Sequence, residues 1–201
     1  MIMLFSLING LENIDIILAS ASPRRYELLK SIGLPFKVVE SRIEEIFSDE
    51  YGPQEIVEIN AGRKGDDVAE KYPESLVISA DTIVVLNDAV MGKPRDEKDA
   101  YRMLSRLSGR THQVYTAFVL NCKSKGKRYA EIVSTDVRFR SLSEREMWSY
   151  INTGEIVDKA GAYAIQGQGA LLIDKINGDF FNVVGFPLSR FFVVLTDFLK
   201  D

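Results

Sequence analysis

Apolar residues along this chain switch between short unbroken runs and stretches with helical spacing. Residues 15–19, DIILA, form a compact apolar run that reads as a buried strand. Ser20-Ala21-Ser22-Pro23 follows, where Ser22 suits a helix N-cap and Pro23 the first helical position. Leu28, Leu29 and Ile32 make the core side of that helix, and Gly33 stops it. Residues 36–40 read as a strand. A second helix is predicted over Pro53–Lys71, although Gly62 and Gly65 each cost ~1 kcal/mol relative to alanine. Leu76–Leu86, LVISADTIVVL, is too rich in β-branched residues for a helix and reads as a central strand, with a turn at Asn87-Asp88. After Asp96, the i, i+3, i+4, i+7 spacing of Ala100, Met103, Leu104 and Leu107 predicts an amphipathic helix ended by Gly109. Residues 111–122 and 128–139 form a long hairpin. Ser143 and Glu146 make a capping box for another helix. Residues 161–176 read as glycine-broken strand and loop. Leu188, Phe191, Phe192, Leu195 and Leu199 mark the apolar face of a final helix. Alternating strands and helices at the front and a hairpin later predict an α/β fold with a mixed sheet.

Composition narrows the class. The 201 residues are 46% hydrophobic and 27% charged, with a net charge of −4. A chain of this size buries roughly 70% of its unfolded surface, enough for a core without covalent staples. It reads as one domain over residues 13–201, preceded by an extension over residues 1–12. The single cysteine, Cys122, excludes an internal disulfide, and with one histidine it makes a Cys/His zinc site implausible. No apolar run approaches the ~20 residues of a membrane span. The apolar start MIMLFSLI lacks the basic n-region of a secretory signal, the first basic residue being Arg24, so a cytoplasmic location is expected. Residues 1–100 carry 11 basic and 19 acidic side chains, whereas residues 101–201 carry 14 and 10. The densest basic cluster, Lys123, Lys125, Lys127 and Arg128 around Gly126, reads as a solvated hairpin turn, because no aromatic platform for nucleic acid is interleaved with it.

Candidate chemistry gathers in a few places. Two arginines, Arg24 and Arg25, stand in the first turn of the first helix, where the dipole disfavours cations but backbone N–H groups favour anions. They read as phosphate ligands; the bland alternative is a surface salt bridge to Glu27 or Glu44. Asp81 interrupts a core strand, where an ionised carboxylate is costly unless paired or metal-bound, and so reads as a base, a water-orienting group or a cation ligand. Its neighbour Thr82 points to the opposite strand face or, with a bulge, into the same pocket. Lys64 and Lys93 fit a polyphosphate site, although either alone is more often a solvated surface lysine. Glu44 and Glu45 can join Asp81 around a hard cation such as Mg²⁺ or Mn²⁺. His112, at the start of a strand, reads as structural or hydrogen-bonding. Gln166, in AGAYAIQG, offers the donor and acceptor needed to read a base edge.

The runs LASASPRRYELL, SADTIVVLN, GKPR, LSGRTHQVYTA, DKAGAYAIQG and VVGFPL together resemble the Maf family of nucleoside triphosphate pyrophosphatases, in order and over about residues 14–195. The resemblance implies an α/β structure with a mixed twisted sheet flanked by helices and two lobes around a central cleft, often as a homodimer. It implies hydrolysis of a nucleoside triphosphate, with a divalent cation, to monophosphate and pyrophosphate, in a house-cleaning or division-linked role. Asp81 resembles the family's proton acceptor. Ser22, Arg25, Lys64 and Lys93 fall at its triphosphate-binding positions, and Glu45 at a second acid near the metal. Arg24, Thr82 and Gln166 resemble the positions marking the branch that acts on dTTP and UTP. A purine-directed pyrophosphatase and a nucleotide-binding regulator without turnover are the rival readings.

Overall fold

The computed structural model describes Phe5 and residues 8–48 and 50–200. Of the extension over residues 1–12, positions 1–4, 6 and 7 lie outside the described residues, whereas Phe5, Ile8 and Leu11 are buried.

The described residues form a seven-stranded sheet. Its strands are β1 (Ile16–Leu18), β2 (Lys37–Val38), β3 (Leu76–Leu86), β4 (Ala89–Met91), β5 (Thr111–Cys122), β6 (Lys127–Phe139) and β7 (Ile173–Asn177). Their order is β2-β1-β3-β5-β6-β7, with β4 paired to β3. The β1 strand pairs in parallel with both β2 and β3, while β3–β4 and β6–β7 are antiparallel, so the sheet is mixed. Helices α1 (Pro23–Ser31), α2 (Pro53–Lys71), α3 (Glu97–Leu107), α4 (Glu144–Ile151), α5 (Phe180–Val184) and α6 (Leu188–Phe198) flank it.

The chain divides into two compact units. The first comprises Met1–Asp81, Thr116–Val133 and Gly185–Asp201; the second comprises Thr82–Tyr115 and Ser134–Val184. In the first unit, Ile17 and Val77 of the sheet, with Ala19 just after β1, pack on Val68 and Ala69 of α2. Phe118 of β5 meets the rings of Phe186 and Phe191 at 5.9 and 6.1 Å. In the second, Ala100, Leu104 and Leu107 of α3 share a core with Met147, Tyr150 and Ile151 of α4 and with Val84, Leu86, Val114, Val137 and Phe139 of the strands.

Most element boundaries follow the hydrophobic pattern. The differences lie where tertiary pairing decides. The strand expected over residues 36–40 shrinks to Lys37–Val38, because three-residue β1 offers it only Ile17 and Leu18 as partners. The Asn87-Asp88 turn proves to be a hairpin turn: both residues take positive φ (50° and 62°), which matches the twist of paired strands and lets β4 form. Within residues 161–176, the glycines make 3₁₀ turns at Ala160–Ala162 and Gly167–Leu172 before β7 begins. The basic hairpin tip is a 3₁₀ turn over Lys123–Lys125, with Gly126 at φ 60°. Three of its four basic side chains are engaged locally: Lys123 pairs with Glu70, Arg128 with Asp66, and Lys127 bonds the Lys200 carbonyl. Cys122, at the end of β5, is a fully buried thiol. No described helix is long and apolar enough to cross a membrane.

Candidate active site

The first unit collects the charged groups. β1 runs into Ser20-Ala21-Ser22, and α1 begins at Pro23 with Ser22 in the capping position. The Ser22 hydroxyl does not cap the helix; its backbone N–H donates to Ser20 Oγ (3.3 Å). Arg24 and Ser22 are half-buried, whereas Arg25 turns inward and is only 8% exposed. Its Nε donates to the Gly185 carbonyl (2.9 Å) and its Nη1 to Ser20 Oγ (3.1 Å). Burial pulls the Arg25 pKa down; the Asp81 charge opposes this, Arg24 adds to it, and Glu45 opposes it.

Asp81 lies on β3, in a row of buried aliphatics, and its side chain is 6% exposed. Its partner is Lys64 of α2, whose Nζ stands 2.7 Å from Asp81 Oδ1 and 2.7 Å from Glu45 Oε1. One ammonium thus joins the two acids expected to hold a cation. Glu45 comes from a segment without regular secondary structure, and α2 holds that segment in place. Asn60, itself buried, accepts from the Ile46 N–H (2.7 Å) and donates to the Ile46 carbonyl (3.1 Å). Arg63 donates to the Glu44 carbonyl (3.0 Å), and Ser41 donates to Asp67 (3.0 Å). Residues 60, 63, 64 and 67 share one helical face.

Glu45 and Asp81 are hard oxygen donors. Two carboxylates suit Mg²⁺ or Mn²⁺ when phosphate oxygens and water complete the shell, so these residues fit such a cation. Among the described residues, no group of three or more His, Cys, Asp or Glu side chains is arranged to hold a metal by itself.

The second unit holds the remaining candidates. Thr82 is half-buried on β3, and Lys93 and Gln166 are exposed. The Gly161 N–H donates to the Gly92 carbonyl (3.0 Å), tying the loop of Lys93 to the segment that leads to Gln166. His112 is structural, in keeping with its sequence reading. Its Nε2 lies 2.7 Å from Tyr163 Oη, and its ring packs edge-on against Phe139 and Tyr163. Burial pushes its pKa down to about 4, raises that of Tyr163, and leaves His112 Nδ1 without a hydrogen-bond partner among the described residues.

The structure therefore brings Arg25, Glu45, Lys64 and Asp81 together in one unit, and places Thr82, Lys93 and Gln166 in the other. Sequence reasoning missed Asn60 and the Gly185 carbonyl. The polar stripe at 60, 63, 64 and 67 was a usable signal for the first; nothing local marks a backbone carbonyl 160 residues from its partner.

A family model for Maf-like proteins matches residues 15–198. The chain belongs to the Maf-like family. Among its Maf-like relatives, a protein of Thermoanaerobacter sp. (strain X514) named dTTP/UTP pyrophosphatase is 49% identical over 181 residues, covering 90% of this chain and 94% of that protein. One of the same name from Clostridioides difficile (strain 630) is 47% identical over 186 residues, covering 92% and 94%. A third, from Dictyoglomus thermophilum, is 48% identical over 177 residues, covering 88% and 92%. Among solved structures, a HAM1 protein from Coxiella burnetii aligns with TM-score 0.52 at 14% identity, covering 92% of this Maf-like chain and 99% of that one. At that identity the likeness concerns the fold.

Proposed function

We propose that this chain hydrolyses dTTP and UTP, and modified pyrimidine triphosphates of similar shape, to the nucleoside monophosphate and pyrophosphate. Three of its Maf-like relatives are named dTTP/UTP pyrophosphatase. The observation that carries the reading is the single ammonium of Lys64 bonded to both Glu45 and Asp81. It bridges two acids side by side in a largely buried place, beside the Arg25 guanidinium.

Each residue has a derivable task. Asp81 Oδ1 is engaged by Lys64, and the carboxylate accepts the proton of the attacking water. Lys64 has three N–H donors and uses two on the acids, which leaves one for a phosphate oxygen. Arg24, Arg25 and Ser22 open α1, where guanidinium and backbone N–H groups suit the phosphates. Lys93 adds a further cation. Thr82, Arg24 and Gln166 select the substrate, Gln166 through both hydrogen-bonding ends of its amide. Mg²⁺ or Mn²⁺ held by Glu45 and Asp81 would supply charge neutralisation at the phosphates. Nucleoside triphosphates are cytoplasmic metabolites, and we place the protein there.

The test is pyrophosphate release from dTTP, UTP, dCTP, ATP and ITP with Mg²⁺ or Mn²⁺. Expected is a kcat/KM for dTTP and UTP at least about tenfold above the others. Preference for ITP, or no release from any of them, overturns the proposal. Asp81→Asn should keep the fold by circular dichroism and lose about 10²- to 10⁴-fold in turnover; wild-type rates in that variant remove Asp81 from its role.

A further inference from the structure

Gln166 occupies an unusual place. It is the residue before a 3₁₀ turn over Gly167–Leu172, with extended backbone (φ −88°, ψ 166°), and so stands in the N-cap position. A Ser, Thr, Asp or Asn side chain there ordinarily turns back onto the second and third amides of the helix. Gln166 does not, and its side chain is exposed. Those two amides belong to Gln168 and Gly169, and Glu155 takes both: Oε1 accepts from the Gln168 N–H (3.2 Å) and Oε2 from the Gly169 N–H (3.3 Å).

The other side of the loop is held from the same part of the chain. Tyr150, on α4, accepts the Ala164 N–H at its hydroxyl (3.1 Å). Gly169 closes the neck. A Cβ there would run into the Ala164 carbonyl oxygen and come within 2.9 Å of the Tyr150 hydroxyl, so only glycine fits. Glu155 is itself anchored: its N–H donates to Thr153 Oγ1 (3.1 Å), and that hydroxyl donates to the Tyr150 carbonyl (2.7 Å). The end of α4 and the four residues after it thus grip the six-residue loop 164–169 at both ends.

We propose that Glu155 is a positioning residue for Gln166: by capping the turn in its place, it frees the Gln166 amide and fixes the backbone that presents it to a pyrimidine base. This rests on the base-selecting role given to Gln166 above. Glu155 touches no reacting atom in this reading. Its influence is on which nucleotide is accepted, not on the hydrolytic step.

Two measurements test it. In Glu155→Ala, amide hydrogen exchange at Gln168 and Gly169 should quicken about tenfold or more while α3 amides keep their protection. In the same variant, kcat/KM for dTTP and UTP should fall about tenfold to a hundredfold, mainly through KM, with dCTP changed less than about threefold, so that the preference narrows. Glu155→Gln, which retains one acceptor, should recover part of the preference. Gln166→Ala should narrow it too, and the double variant should match Gln166→Ala alone. Unchanged exchange in Glu155→Ala overturns the hold on the loop. Equal losses on all nucleotides, or a wild-type preference in Glu155→Ala where Gln166→Ala has lost it, overturn the positioning role. A wild-type preference in Gln166→Ala removes the base-selecting reading and this proposal with it, while the exchange result stands by itself.

Discussion

Among single residues, His112 has the clearest solution consequence. Buried and neutral, it has a pKa of about 4, against an ordinary value of 6.5. The unfolded chain therefore binds a proton more readily than the folded one in that interval. The stabilising effect is complete above pH 6.5 and is lost as the pH falls from 6.5 to 4, a difference of about 3 kcal/mol. Urea melts at pH 7 and pH 4.5 should show this slope, and His112→Phe with Tyr163→Phe, which keeps both rings and removes both polar ends, should flatten it. Asp81 was legible in the sequence for the same kind of reason: a carboxylate among Val, Ile and Ala must have a partner or a task. Glu45 was legible only as one of an adjacent acidic pair, and family likeness alone singled it out from Glu44. Its segment has no hydrophobic period, and its position depends on the Asn60 amide gripping Ile46.

At the scale of elements, α2 shows why helix propensity alone misleads. Gly65 costs helix stability, yet a Cβ there would lie 2.5 Å from Ser79 Oγ and 3.3 Å from Ser79 Cβ on β3. The missing side chain lets helix and strand approach closely enough for Ser79 to bond the Ala61 carbonyl (2.7 Å) and for Lys64 to reach Asp81. Gly65→Ala should thus destabilise by about 1–3 kcal/mol despite its better propensity, and Ser79→Ala should relieve part of that in the double variant. Thermal melts of the three variants check it; a stabilised Gly65→Ala would show that the approach can relax. Long periodic elements such as α2, α3, β3 and β5 announce themselves in the sequence. The β4 strand did not, because three residues carry no period and form through their partner. The α5 helix, only five residues long, was equally silent.

For the molecule as a whole, the two units differ in the candidate groups they carry: acids, ammonium and guanidinium in one, the threonine, Lys93 and the amide in the other. The Lys64 bridge has a consequence for metal dependence. Because the Lys64 ammonium already bonds both Glu45 and Asp81, folding is expected not to rely on a bound cation. Removing divalent metal with EDTA should abolish pyrophosphate release and leave Tm within about 2 °C, with Mg²⁺ or Mn²⁺ restoring turnover. A large drop in Tm on chelation would show that folding needs the metal beside Lys64.

Cys122 offers a last consequence. As the chain's lone thiol, wholly sealed where β5 ends, it meets an alkylating reagent only when that hairpin comes apart. Iodoacetamide uptake followed by mass spectrometry therefore acts as a built-in clock for opening of this region, read at one atom and without any engineered label.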